Sequence, residues 1–130
     1  MKALFKGDIY WVPIPNQATL GKGITHPHVI LQETELNQSR ISTVVVCALS
    51  TNMKRAFEPG NVLLDDGEGK LAKRSVVVVS QVSVVEKKDL GNFVGRLDPG
   101  RMDSIFAGMR LQQSLALRGA SWKLLDESVD

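Results

Sequence analysis

The chain has 130 residues, 43% hydrophobic and 23% charged, enough apolar material to bury a core and too much for a disordered tail. Sixteen Lys and Arg face fourteen Asp and Glu, a formal charge of +2, which excludes a polycation that binds nucleic acid by bulk charge but not a local basic cleft. One cysteine and two histidines exclude a disulfide framework within the chain and argue against a zinc catalytic centre.

In chain order, the first apolar run is Ile9, Tyr10, Trp11, Val12 and Ile14, a β-branched and aromatic strand ending at Pro13 and Pro15. Residues 16–25 contain Gly21 and Gly23 and little to bury, so a mobile loop is expected there. A second strand is expected over residues 28–32 (HVILQ) and a third over residues 41–49 (ISTVVVCAL), paired antiparallel through the polar link ETELNQSR. Residues 52–60 read as a loop, residues 61–64 as a short strand, and Asp65-Asp66-Gly67 as a turn. The four valines 76–79 predict a strand buried on both faces, with alternation resuming over residues 81–85. Lys88-Asp89-Leu90 suggests a short helical turn.

The last third changes period. Asp98 then Pro99 reads as a helix cap with proline at the first helical position. Met102, Ile105, Phe106 and Met109 fall on one helical face, and Leu111, Leu115 and Leu117 widen it, so a buried helix end is expected. Gly119 is the expected stop, followed by a polar tail over residues 119–130. Five short strands and one helix predict a mainly β protein, a small barrel or strongly curved sheet with a C-terminal helix, in a single domain spanning residues 1–130. No stretch approaches the roughly 18 apolar residues of a membrane span, and the N-terminus has no apolar run of a signal peptide, so a cytoplasmic protein is expected.

No phosphate loop, GxSxG elbow or HExxH sequence occurs. The candidates for chemistry are polar residues where strands end. His26 precedes Pro27, which favours an extended backbone and places it at the start of the second strand, where a group with a pKa near 6.5 can exchange protons. The plainer alternative is a solvated loop histidine. Ser50, Thr51 and Asn52 leave the third strand with three hydrogen-bonding side chains, suited to a phosphate or simply to a turn. Lys54 and Arg55 on one loop, and Lys70, Lys73 and Arg74 before the valine strand, form a polyanion-attracting surface if the loops meet, or a solvated charged face if they do not. His28 and Cys47 fit structural roles inside strands.

Taken in order, GDIYWVPIP, a glycine-containing loop, HPHVIL, VVVCALSTN, GKLAKRSVVVVSQVSVVEKKDLGNFVGRLD and LQQSLAL resemble the successive blocks of the MazF/PemK toxins over roughly residues 6–118. The resemblance implies a small SH3-like β-barrel with a C-terminal helix, a homodimer, and a cognate antitoxin whose acidic, disordered segment occupies the RNA groove. It implies metal-free and cofactor-free cleavage of single-stranded RNA by 2′-hydroxyl attack, leaving a 2′,3′-cyclic phosphate and a 5′-hydroxyl. In the MazF-like branch an arginine before a proline and a threonine after the third strand form the catalytic pair; here these positions hold His26 and Ser50, with Thr51 adjacent. In the PemK-like branch an arginine and an aspartate precede the glutamine motif; here Val78 and Ser80 precede Gln81. His26 and Ser50 are therefore the expected catalytic residues. Lys22, Thr51, Asn52, Lys54, Arg55, Lys73, Arg74 and Gln81 are the expected RNA contacts. The His26 departure keeps open a binding-only protein on the same scaffold. A gyrase poison, known from a related family, ranks last because Trp122 is followed by the acidic finish KLLDESVD.

Overall fold

The computed structural model describes the backbone of residues 3–14 and 24–129, and side chains over residues 3–13 and 25–119. Six strands form one antiparallel sheet: β1 (Asp8–Ile14), β2 (Ile24–Ile30), β3 (Thr43–Ser50), β4 (Val62–Leu63), β5 (Val76–Glu86) and β6 (Phe93–Arg96). Their spatial order is β4-β5-β3-β2-β1-β6. A one-turn helix, α1 (Thr34–Asn37), sits in the β2–β3 link, and α2 (Pro99–Val129) follows the sheet.

The strand period divides the core between the two faces of the sheet. Ile9, Val29, Cys47 and Leu49 pack with Val77, Leu64, Leu71, Leu97 and the helix residues Met102 and Ile105. Tyr10, Ile30, Val44 and Val46 pack on the other face with Leu4. All four valines of residues 76–79 are buried, as the run predicts. The start of α2 is also as expected: the Asp98 carboxylate accepts from the Arg101 N–H at 2.7 Å, and Pro99 takes the first helical position. Met102 and Ile105 are buried, with Phe106 and Met109 packed beside them.

Two backbone contacts set the shape. The sheet curls until the 3-10 turn Glu68–Lys70 lies against β6, where a Cβ on Gly95 would collide with the Gly69 carbonyl. Helix α2 docks where Gly108 meets Gly60, and a Cβ on either would strike the other's carbonyl.

Several expectations need correction. Strand β2 begins at Ile24, so Ile24 and Thr25 belong to a strand and not to a loop, and His26 is its third residue. Pro27 is tolerated because the β2–β3 ladder starts one residue later, at His28 opposite Ala48. The remainder of the expected loop, residues 15–23, lies outside the described residues. Strand β6 makes a sixth strand where five were expected. Residues 80–84 of β5 are exposed and do not alternate, because β4 pairs only with Val76 and Val77. Gly119 does not end α2, whose backbone stays helical to Val129: an interior glycine weakens a helix without stopping it when good helix formers flank it. Leu111, Leu115 and Leu117 are exposed, so the expected buried helix end is not found, although Leu115 still lines a shallow pocket with Asn61 and Ser80.

Candidate nucleic-acid interface

A cleft of about 520 Å³ opens beside the ends of β1 and β2. Trp11 lines it from β1, Thr25, His26 and Pro27 from β2, Thr51 from just past β3, and Phe93 from the start of β6. The segment between β4 and β5 completes the wall with Lys70, Leu71, Ala72, Lys73 and Ser75. No Asp or Glu is among these residues. The cleft thus joins two lysines to two aromatic side chains that stay 41% (Trp11) and 39% (Phe93) exposed.

Local structure explains why these groups converge. Trp11 lies opposite Pro27 in the β1–β2 register. Its backbone N–H donates to the Asn92 carbonyl at 3.1 Å, and its carbonyl accepts from the Gly91 N–H at 2.7 Å. The Phe93 ring meets the Tyr10 ring edge-on, with centroids 5.5 Å apart. The lysine segment is tied to α2. The Arg101 guanidinium donates to the Glu68 carboxylate through Nε at 2.7 Å and Nη2 at 2.8 Å, and Glu68 also accepts the Asp65 N–H at 2.8 Å. The hydrogen bonds to Glu68 push the Arg101 pKa further up, so the guanidinium stays charged.

His26 lies opposite Val12 and is exposed at the cleft. Two residues on, the buried His28 ring donates its Nδ1–H to the His26 carbonyl at 2.9 Å, which fixes its tautomer. Burial pushes the His28 pKa down, so it stays neutral. Cys47 donates its thiol proton to the Val78 carbonyl, and burial pushes its pKa up to about 12, the inert state expected of a core thiol.

Of the residues singled out in sequence, His26, Thr51 and Lys73 line the cleft together. Ser50 does not: it ends β3 half-buried, and its Oγ accepts the Asn52 N–H at 3.1 Å. Asn52 caps the 3-10 turn Met53–Phe57 by accepting from the Lys54 N–H at 3.1 Å. Lys54 and Arg55 sit on that turn outside the cleft, with Arg55 paired to Glu58 at 2.8 Å. Arg74 donates to the Leu64 carbonyl at 2.9 Å, a structural bond, and Gln81 lies on the exposed half of β5. Lys22 lies outside the described residues. Trp11, Thr25 and Phe93 were not singled out as site residues, and Lys70, which also lines the cleft, was named only in the basic group before the valine strand. Trp11 reads as strand core, and Phe93 stands on the unread sixth strand.

Among the described residues no three His, Cys, Asp or Glu side chains cluster as a metal site, and no helix is long and apolar enough to cross a membrane.

The chain matches the family described as PemK-like, MazF-like toxin of type II toxin–antitoxin system over residues 5–113. It is 29% identical over 105 residues to endoribonuclease MazF6 of Mycobacterium tuberculosis, covering 81% of this chain and 92% of that protein. Among solved structures it resembles a mycobacterial endoribonuclease in complex with its cognate antitoxin, with a TM-score of 0.63 and 21% identity over 84% of this chain and 91% of that one. It also resembles MazF of the MazE–MazF complex from Deinococcus radiodurans, with a TM-score of 0.68 and 14% identity over 84% of this chain and 94% of that one. At these identities the structures establish a shared fold, and the family match establishes descent: the chain belongs to the PemK-like, MazF-like toxins of type II toxin–antitoxin systems.

Proposed function

We propose that the chain is a metal-independent endoribonuclease that cuts single-stranded RNA in this cleft, acting in the cytoplasm as the toxin of a toxin–antitoxin pair. The observation that carries this reading is the pairing of exposed Trp11 and Phe93 rings with Lys70 and Lys73 in a cleft with no carboxylate among its described lining residues. Unpaired bases stack on aromatic faces for about 1–3 kcal/mol each, while ammonium groups pair with the phosphates between them. Single strands present both at once. The relatives' own name, endoribonuclease, supports the same reading.

Cleavage needs a group that takes the 2′-hydroxyl proton, a group that protonates the leaving 5′-oxygen, and donors for the charge that builds on the phosphorane. The 2′-oxygen forms a bond to the adjacent phosphorus as the P–O5′ bond breaks. In this scheme His26 takes the 2′-hydroxyl proton, water protonates the leaving 5′-oxygen, and the lysine ammonium groups stabilise the phosphorane. The hydroxyl donor is Thr51, which lines the cleft, in preference to Ser50, which does not. Incubating the purified chain with long single-stranded RNA in EDTA tests this; products ending in 2′,3′-cyclic phosphate and 5′-hydroxyl are expected. One observation favours a binding-only alternative: His26 stands where the family resemblance calls for a permanently charged arginine. RNA bound but left intact under these conditions decides for it.

A cognate antitoxin with an acidic, disordered segment suits a cleft of this charge and would compete with RNA. A homodimer is also part of the proposal. Its support is the apolar surface left open by Val82, Val84, Leu111, Leu115 and Leu117. Light scattering is expected to return twice the chain mass at micromolar concentration.

A further inference from the structure

We infer that Lys70 is a dedicated phosphate ligand of the cleft, placed there by a left-handed backbone that its side chain disfavours; this rests on the RNA-cleaving reading above. Among the described residues Lys70 is the one non-glycine with positive φ, at 60°, directly after Gly69 at 63°. In that region an L side chain crowds its own carbonyl, whereas glycine does not. Folding alone would favour glycine here.

The lysine side chain has no fold-side duty to explain its presence. It is exposed, and among the described residues it forms no ion pair and no side-chain hydrogen bond. It does line the cleft, together with Lys73. The turn around it is fixed from several directions. The Lys70 N–H donates to the Gly67 carbonyl at 3.1 Å, Glu68 is held by Arg101, and Gly69 is wedged against Gly95. A disfavoured conformation persists where its surroundings over-determine it, and such residues gather at binding sites. Two ammonium groups three residues apart then flank one cleft, with no carboxylate among its described lining residues, and a phosphodiester is the ligand that matches them.

Two variants separate charge from backbone strain. Lys70→Gly removes both; Lys70→Met removes the charge and keeps a long side chain in the same conformation. Each is compared with wild type for Tm and for binding of a mixed-sequence 2′-O-methyl RNA oligonucleotide, which cannot be cleaved, across a salt series. Both variants are expected to flatten the slope of log K against log salt by about 0.7, the share of one phosphate contact on a single strand. At 0.1 M salt that share amounts to about a fivefold loss of affinity. Lys70→Gly alone is expected to raise Tm, by a few degrees, because the steric relief exceeds glycine's added entropy in the unfolded chain. Wild-type binding with an unchanged slope in both variants overturns the assignment of Lys70 and leaves the RNA reading standing. A lower Tm for Lys70→Gly overturns the strain argument. Wild type that neither binds the oligonucleotide nor cuts RNA overturns the RNA reading, and this inference with it.

Discussion

The bond between Arg101 and Glu68 joins the lysine-bearing turn to the first turn of α2, so Arg101→Ala tests whether that turn is held from outside. The two parallel hydrogen bonds are 2.7 and 2.8 Å long, and the side chains are only 24% and 17% exposed. Solvent therefore screens the pair less than a surface ion pair, which contributes about 0–1 kcal/mol. Hydrogen bonds to charged groups contribute about 1.5–3 kcal/mol net, and the desolvation of Glu68 offsets part of the pair's sum. Asp65 adds little, since its contact with Arg101 is 3.5 Å and its side chain is 80% exposed. A loss of about 2 kcal/mol is expected for Arg101→Ala. Glu68 also holds the Asp65 N–H, so Glu68→Gln alone mixes two effects, and only the double-mutant cycle isolates the pair. Urea denaturation, which leaves ionic strength unchanged, is expected to give a coupling of about 1–1.5 kcal/mol with equal m values. A coupling below about 0.5 kcal/mol refutes the reasoning, because independent sites already differ by that much.

Three further outcomes are expected. His26→Ala lowers RNA cleavage by about 10²–10⁴-fold with the fold intact, and His26→Arg abolishes it because arginine keeps its proton; cleavage retained in His26→Arg reassigns the position to charge stabilisation. Trp11→Ala weakens binding of single-stranded RNA roughly 5- to 150-fold, the loss of one stacked base, measured by fluorescence anisotropy with an uncleavable oligonucleotide; unchanged affinity removes Trp11 from the RNA path. His28 has a folded pKa below its ordinary 6.5, so the unfolded chain takes up the proton first as pH falls. Its contribution to stability is complete above about pH 6.5 and is lost below it, and His28→Gln is expected to flatten the urea midpoint against pH in that range; an unchanged slope refutes the assignment.

The elements legible in the sequence are those with strong local signals. Four consecutive valines have no exposed face to offer, and Asp98-Pro99 caps a helix by chemistry that needs no tertiary partner. Strand β6 escaped because it is four residues long, contains Gly95, and exists through its pairing with β1. The extent of α2 escaped because a glycine stops a helix only when it takes the left-handed conformation itself, and Gly119 stays helical. In the cleft, His26, Thr51 and Lys73 were legible as polar residues at strand ends. Trp11 was not, since strand period cannot say where along a face the core gives way to solvent. Lys70 was named only within a basic group, because its left-handed φ belongs to a turn held by contacts far apart in sequence, Gly69 against Gly95 and Glu68 with Arg101.

The cleft wall draws on five separate stretches of chain, the first at Trp11 and the last at Phe93 and Val94. While a ribosome is still making this protein, the early stretches emerge without the final one. A nascent chain that stops short of residue 93 lacks one wall and one of the two exposed rings. Such a chain carries His26 and both lysines, yet has no assembled cleft around them. The cleft is complete only once β6, the last strand in chain order, has paired with β1.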